Sequence, residues 1–96
     1  MSTPLTIVAR IEAVAGQTDV VKKALQGLIE PTLKEAGCIQ YDLHQDNNDP
    51  SVFLFYEIWE TRELWLQHGE SAHISAHRIA TKETIASTVI NEMTKI

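Results

Sequence analysis

From Leu5 to Val14 the chain alternates without a break: Leu5, Ile7, Ala9, Ile11 and Ala13 fall on one face, and Thr6, Val8, Arg10, Glu12 and Val14 on the other. A period of two sends alternate side chains to opposite sides of an extended strand, so a strand with one wholly apolar face is predicted, and that face has to be covered. Beyond Gly16 the period lengthens to that of a helix, with Val20, Val21, Ala24, Leu25, Leu28, Ile29 and Leu33 recurring at helical spacing behind Thr18 and Asp19, which can cap it. Pro31 lies inside this helix and is expected to kink it, Gly27 four residues earlier giving the backbone room to adjust. Gly37 supplies a left-handed stop.

Cys38 to His44 and Val52 to Trp59 read as two further strands, joined through the turn formers Gln-Asp-Asn-Asn-Asp-Pro-Ser into a hairpin. Placing His44 opposite Phe53 puts Ile39, Tyr41 and Leu43 on a face with Leu54, Tyr56 and Ile58. Gln40, Asp42 and His44 then share the other face with Phe53, Phe55, Glu57 and Trp59. Thr61 can cap a short helix carrying Leu64, Trp65 and His68 that stops at Gly69, and Ser71 a second one carrying Ala72, His73, Ile74, Ala76, His77 and Ala80. From about Glu83 to Ile96 the β-branched Ile85, Thr88, Val89 and Ile90 suggest a last strand. The order β-α-β-β-α-β predicts one α+β domain over residues 1–96, an antiparallel sheet with helices on one face.

A sheet covered on one side leaves the other open, and in this register the open face carries Val8, Val14, Phe53, Phe55 and Trp59. Apolar surface of that kind marks an interface. A two-fold homodimer packed sheet to sheet is expected, with Arg10, Asp42 and Glu57 neutralising one another between the sheets. Self-association suits a chain of 96 residues, which buries only about 60–65% of the surface its unfolded form exposes. A net charge of −5, from 8 basic and 13 acidic residues, gives no basic stripe for nucleic acid or an anionic membrane. Without a signal-peptide pattern or a spanning apolar run, a cytoplasmic location is expected. The single cysteine, Cys38, fits that location, and without a basic neighbour in sequence it is a poor nucleophile.

His68, His73 and His77 fall within ten residues of one another, next to the aromatic strand. Histidine is the side chain that titrates nearest neutrality, so proton transfer or substrate hydrogen bonding is the chemistry to seek there. His73 and His77 share a helix face at i, i+4 spacing, but no HExxH glutamate stands between them and no metal site is expected. Tyr41 and Tyr56, placed on the helix-covered face, are either core aromatics or hydrogen-bond donors lining a pocket beside His68. Trp65 walls that pocket or packs its helix. His44, Glu57 and Trp59, assigned to the opposite face, are secondary candidates, and Ser71 is a cap rather than a nucleophile. No GxSxG, phosphate loop or dinucleotide fingerprint is present.

Five stretches taken together resemble the antibiotic biosynthesis monooxygenase domain family, whose small members include quinol monooxygenases. They are Leu5-Thr-Ile-Val-Ala-Arg-Ile11 with Gly16, Pro31-Thr-Leu-Lys-Glu-Ala-Gly-Cys38, Tyr41-Asp-Leu-His-Gln-Asp46 with Asp49-Pro50, Phe55-Tyr-Glu-Ile-Trp-Glu60, and His68-Gly-Glu-Ser-Ala-His73. The resemblance implies a ferredoxin-like fold, dimers whose sheets join into an α/β-barrel, and a cofactor-independent oxygenase that uses O2 on a quinol- or anthrone-type aromatic. On that basis His68 or His73 is expected as base, Tyr56 as donor to the anion, and Tyr41, Trp65 and His77 as pocket. Haem-degrading relatives differ, since Ala9 and His68 stand where they carry asparagine and tryptophan, leaving only His77 as a possible match. The runner-up functions are an isomerase of a phosphorylated hydroxyketone, for which no basic cluster is visible in the sequence, and a small-aromatic-binding dimer without turnover.

Overall fold

The computed structural model describes residues 3–96. Its elements are β1 (Leu5–Ala13), α1 (Thr18–Gln26), α2 (Ile29–Leu33), β2 (Cys38–Gln45), β3 (Val52–Trp59), α3 (Arg62–Gly69), α4 (Ala72–Ala80) and β4 (Ile85–Thr94). The sheet order is β2-β3-β1-β4, with every neighbouring pair antiparallel. This is the expected ferredoxin-like α+β arrangement, each crossover consisting of two short helices. Among the described residues no helix is long and apolar enough to cross a membrane.

The first crossover is broken where a kink is expected. α1 ends at Gln26, the Leu28 amide bonds back to Leu25, and α2 restarts at Ile29. Pro31 thereby sits in the first turn of α2, where its missing N–H goes unused, instead of in the interior of one long helix. Thr18 and Asp19 do not cap α1; Gln17 holds that position without a side-chain bond. Thr61 and Ser71 do cap α3 and α4, accepting from the amides of Leu64 and Ile74.

The hairpin register differs by one residue from the expected one. His44 pairs with Leu54, Tyr41 with Glu57 and Leu43 with Phe55, while Cys38 pairs with Trp59 across a bulge at Ile39. The core face of β3 is therefore Phe53, Phe55, Glu57 and Trp59, opposite Ile11, Ala9, Ile7 and Leu5 of β1. Three large aromatics decide it: Phe53, Phe55 and Trp59 are 1%, 3% and 0% exposed. Each buries about 150–250 Å², or roughly 4–6 kcal/mol at 25 cal/mol/Å². Turning them outward would sacrifice more than the few kcal/mol spent on burying one hydrogen-bonded carboxyl, that of Glu57. Asp46 sets the turn, its Oδ1 accepting from the amides of Asn48 and Asp49 at 2.7 and 3.0 Å.

Three expectations change with the register. Tyr56, 37% exposed, lies on the open face of the sheet, and the Phe53, Phe55 and Trp59 side chains do not face a partner. The charge trio Arg10, Asp42 and Glu57 does not form either, because Glu57 is on the helix side. The open face carries Val8, Tyr56 and Met93 around a shallow depression at the β1/β3/β4 end.

Gly37 closes the first crossover at φ 86°, and an added Cβ there would lie 2.4–3.0 Å from the Leu64 side chain of α3. Gly16 has a similar φ of 82° and open space around it. Substituting alanine at Gly16 is expected to cost about 1 kcal/mol, the backbone penalty alone, and at Gly37 at least ~2 kcal/mol more. Chemical denaturation of the two variants checks this, and equal losses would mean that α3 and β2 are not held at this separation.

Candidate active site

The corner between α3 and α4 places two imidazoles together. Thr61 starts α3 so that His68 falls in its last turn, and Ser71, whose hydroxyl donates to the His68 carbonyl at 2.7 Å, starts α4 with His73 in its first turn. The break at Gly27 and Leu28 directs Thr32 and the following loop toward this corner. Glu35 Oε2 there lies 2.5 Å from His68 Nδ1 and 3.1 Å from His73 Nε2, and Thr32 Oγ1 lies 3.1 Å from the same His73 nitrogen.

A carboxylate only accepts, so the His68 nitrogen facing Glu35 carries the proton and the other, Nε2, keeps its lone pair. Nε2 has no hydrogen-bond partner among the described residues, yet no sealed side-chain nitrogen or oxygen lacks one there, so this atom opens onto free space. His68 is only 6% exposed and packs with its ring 4.8 Å from Trp59 and edge-on to Tyr41 at 5.7 Å. Burial lowers its pKa, and Glu35 offsets part of the shift. At neutral pH the imidazole is a neutral, oriented base.

The space beside it is a cavity of 520 Å³ between the sheet and the helices. Tyr41, Phe55, Glu57 and Ala9 line its sheet side, and His68, Trp65 and His77 its helix side. Tyr41 stacks on Phe55 with centroids 4.4 Å apart, and burial, with Glu57 nearby, pushes its phenol pKa up. Glu57 is 4% exposed and accepts from Trp59 Nε1 at 2.9 Å. Burial raises its carboxyl to about 7, against the opposing Trp59 bond and with help from Glu35. The pKa of His77 is lowered by burial and by Arg78. An apolar chamber holding a buried base and a carboxyl poised near neutrality has the parts for proton transfer on an aromatic ligand.

The expected residues separate accordingly. His68, Tyr41, Trp65 and His77 meet at the cavity; His73 joins through Glu35 and does not line it. Tyr56 and the exposed His44 lie across the sheet, so Tyr56 does not reach the cavity. Glu57 and Trp59, expected on the open face, belong to the site. Glu35 and Thr32 escaped the sequence reading, because their contacts join residues 33 and 41 positions apart. The one hint was a carboxylate just past the helix-breaking proline. Glu35, His68 and His73 offer three ligand atoms within 4.8 Å of one another. Metal bonds of about 2.0–2.1 Å would hold such atoms about 3.3 Å apart in a tetrahedron, so Glu35 and His68 would have to separate to admit an ion.

Residues 4–79 match the antibiotic biosynthesis monooxygenase family. The chain belongs to that family. A solved structure of PA3566 from Pseudomonas aeruginosa is 32% identical, with TM-score 0.96, covering 100% of this chain and 97% of that one. A structure from Nitrosomonas europaea whose name proposes an antibiotic biosynthesis monooxygenase, at 22% identity and TM-score 0.92, covering 100% and 93%, shares the fold. Among curated relatives, the uncharacterized protein sll1783 of Synechocystis is 30% identical over 73% of this chain, which spans about half, 48%, of that relative's length. Rv0793 of Mycobacterium tuberculosis, whose name proposes a monooxygenase, is 27% identical over 93% of this chain and 87% of its own.

Glu57 also ties the site to stability. From pH 4.5, its ordinary value, to about 7, the unfolded chain releases this proton while the folded chain keeps it. The group's stabilising contribution is thus full below 4.5 and lost as pH rises through 7, a swing of roughly 3 kcal/mol at 1.36 kcal/mol per pK unit. Glu57→Gln, which keeps an acceptor for Trp59, should gain melting temperature relative to the parent as pH goes from 5 to 8. A difference that stays constant across that range would rule out a buried, shifted carboxyl.

Proposed function

We propose that this chain is a cofactor-independent monooxygenase that oxidises a small quinol- or anthrone-type aromatic with O2. The observation that carries the reading is the buried His68 imidazole, tethered to Glu35 through Nδ1, with Nε2 free at an apolar cavity. Family membership and the name of the Mycobacterium relative support it.

In this mechanism His68 Nε2 takes the phenolic proton, and Glu35 stabilises the imidazolium that results. The electron-rich anion passes one electron to O2, and the two radicals join at a ring carbon as a peroxide. For an anthrone, cleavage of the O–O bond and loss of the remaining hydrogen leave one oxygen atom as a new carbonyl and release the other as water. Protonated Glu57 donates to the departing oxygen, and Tyr41, which lines the cavity where Tyr56 does not, stabilises the anion. Trp65 and Phe55 keep the chamber apolar, so the anion meets oxygen away from bulk water.

Oxygen uptake with a panel of hydroquinones and anthrones tests the reading. His68→Gln should lose at least about a hundredfold in kcat/KM and Glu35→Gln about tenfold, with melting temperatures near the parent's. Wild-type rates in the His68 variant would end the proposal.

A homodimer remains part of the proposal, formed through the open sheet face around Val8, Tyr56 and Met93. Its support is that apolar strip, which the helices leave bare. Light scattering at micromolar concentration should give twice the chain mass and Val8→Glu a monomer; a monomeric parent would reject the pairing.

A further inference from the structure

Two cations line the mouth of the cavity and find no carboxylate. Arg78, in the last turn of α4, and Lys82, two residues beyond its end, are both exposed and both part of the cavity wall. Among the described residues the ion pairs of lysine and arginine are Lys34 with Glu30 and Arg62 with Glu92. Arg10, Lys22, Lys23 and Lys95 are without such a pair as well, but of the unpaired cations among the described residues it is Arg78 and Lys82 that line the cavity.

A cation near a helix C-terminus has an ordinary explanation in the helix dipole. The position of Arg78 goes beyond it. Its Nη2 reaches across to α3, 3.7 Å from where a Cβ on Gly69 would stand, next in sequence to His68. The guanidinium therefore lies against the end of α3 at ordinary van der Waals distance. Arg78 also lies close enough to His68 and His77 for its charge to act on both. Lys82 adds a second positive charge on the same rim, while Leu66, Thr88 and Ile90 make the rest of the exposed mouth uncharged.

The cavity thus has a phenol and a buried carboxyl on its sheet side, a base on its helix side, apolar walls, and a cationic rim. A wholly apolar ligand would leave the rim without a partner. We infer that the ligand of this cavity is an apolar, aromatic-sized body carrying an oxyanion, a carboxylate or phosphate monoester, which Arg78 and Lys82 hold at the mouth while the body reaches toward His68. Arginine suits the task, since its planar fork meets two oxygens of either group at once. The inference rests on the proposed oxygenase reading for the chemistry at His68, but not for binding. It also supplies the basic cluster that the sequence does not reveal, through Arg78 in the last turn of α4 and Lys82 just beyond its end.

The test is calorimetric binding at low ionic strength of three ligands that do not undergo the proposed oxidation: 2-naphthylmethanol, 2-naphthoate and 2-naphthyl phosphate. The parent should bind at least one of the anions about tenfold or more tightly than the alcohol, a difference of about 1.4 kcal/mol. In Arg78→Gln/Lys82→Gln that advantage should fall below about threefold while affinity for the alcohol stays unchanged, and Arg78→Lys should restore part of it. Which anion gains more tells a carboxylate site from a phosphate site. Equal affinity for anions and alcohol, an anion preference that survives the double substitution, or no binding of either anion at millimolar concentration would overturn the inference. Oxygen uptake is read separately, so failure of the oxygenase reading leaves this result interpretable.

Discussion

The inward turn of Phe53, Phe55 and Trp59 is the constraint on which the rest of the structure depends. With these rings against β1 and under the helices, the register of β3 with both neighbours is settled, because a shift of one residue would expose all three. Glu57, sitting between Phe55 and Trp59 in the same alternation, is then carried into the interior whatever its own preference. Its bond from Trp59 makes that burial tolerable, and its shifted titration is the residue of the cost. The buried carboxyl on the sheet is therefore a by-product of burying aromatics.

The helix side follows a different logic. Among the described residues no helix is long; both crossovers are interrupted, and the interruptions bring polar groups together. Pro31 breaks the first crossover and turns Thr32 and Glu35 toward the second, where the Thr61 and Ser71 caps fix the phase of His68 and His73. One Glu35 oxygen then serves both imidazoles. A continuous first helix would carry Glu35 on in line with α1 rather than into that corner.

Much of the architecture was legible because it rests on periodicity: the alternation of β1, the bounds of β3, the stop at Gly69 and the two caps all appear where the pattern puts them. The hairpin register was not legible, because both faces of β3 are largely apolar and alternation alone does not rank them. Side-chain size ranks them, and reading Leu54, Tyr56 and Ile58 as the core set ignored it. That choice sent Tyr56 to the wrong side and kept Glu57 and Trp59 out of the site. His68 was legible as a type of residue in a suggestive place. Its partner Glu35 was not, since nothing local ties a loop carboxylate to a helix 33 residues later.

β1 lies between β3 and β4, and its β4 partners run from Ile85 to Thr94, so Leu5 pairs with Thr94. During synthesis on a ribosome the other three strands emerge well before the one that covers this side of β1. Until then β1 presents a row of unpaired amides and carbonyls beside apolar side chains, the condition in which one nascent chain adds to another as an extra strand. The interval ends only when β4 has cleared the exit tunnel. For this fold the last strand made is therefore the one that protects the first, and chains stalled before it are the ones most exposed to aggregation and to quality-control proteases.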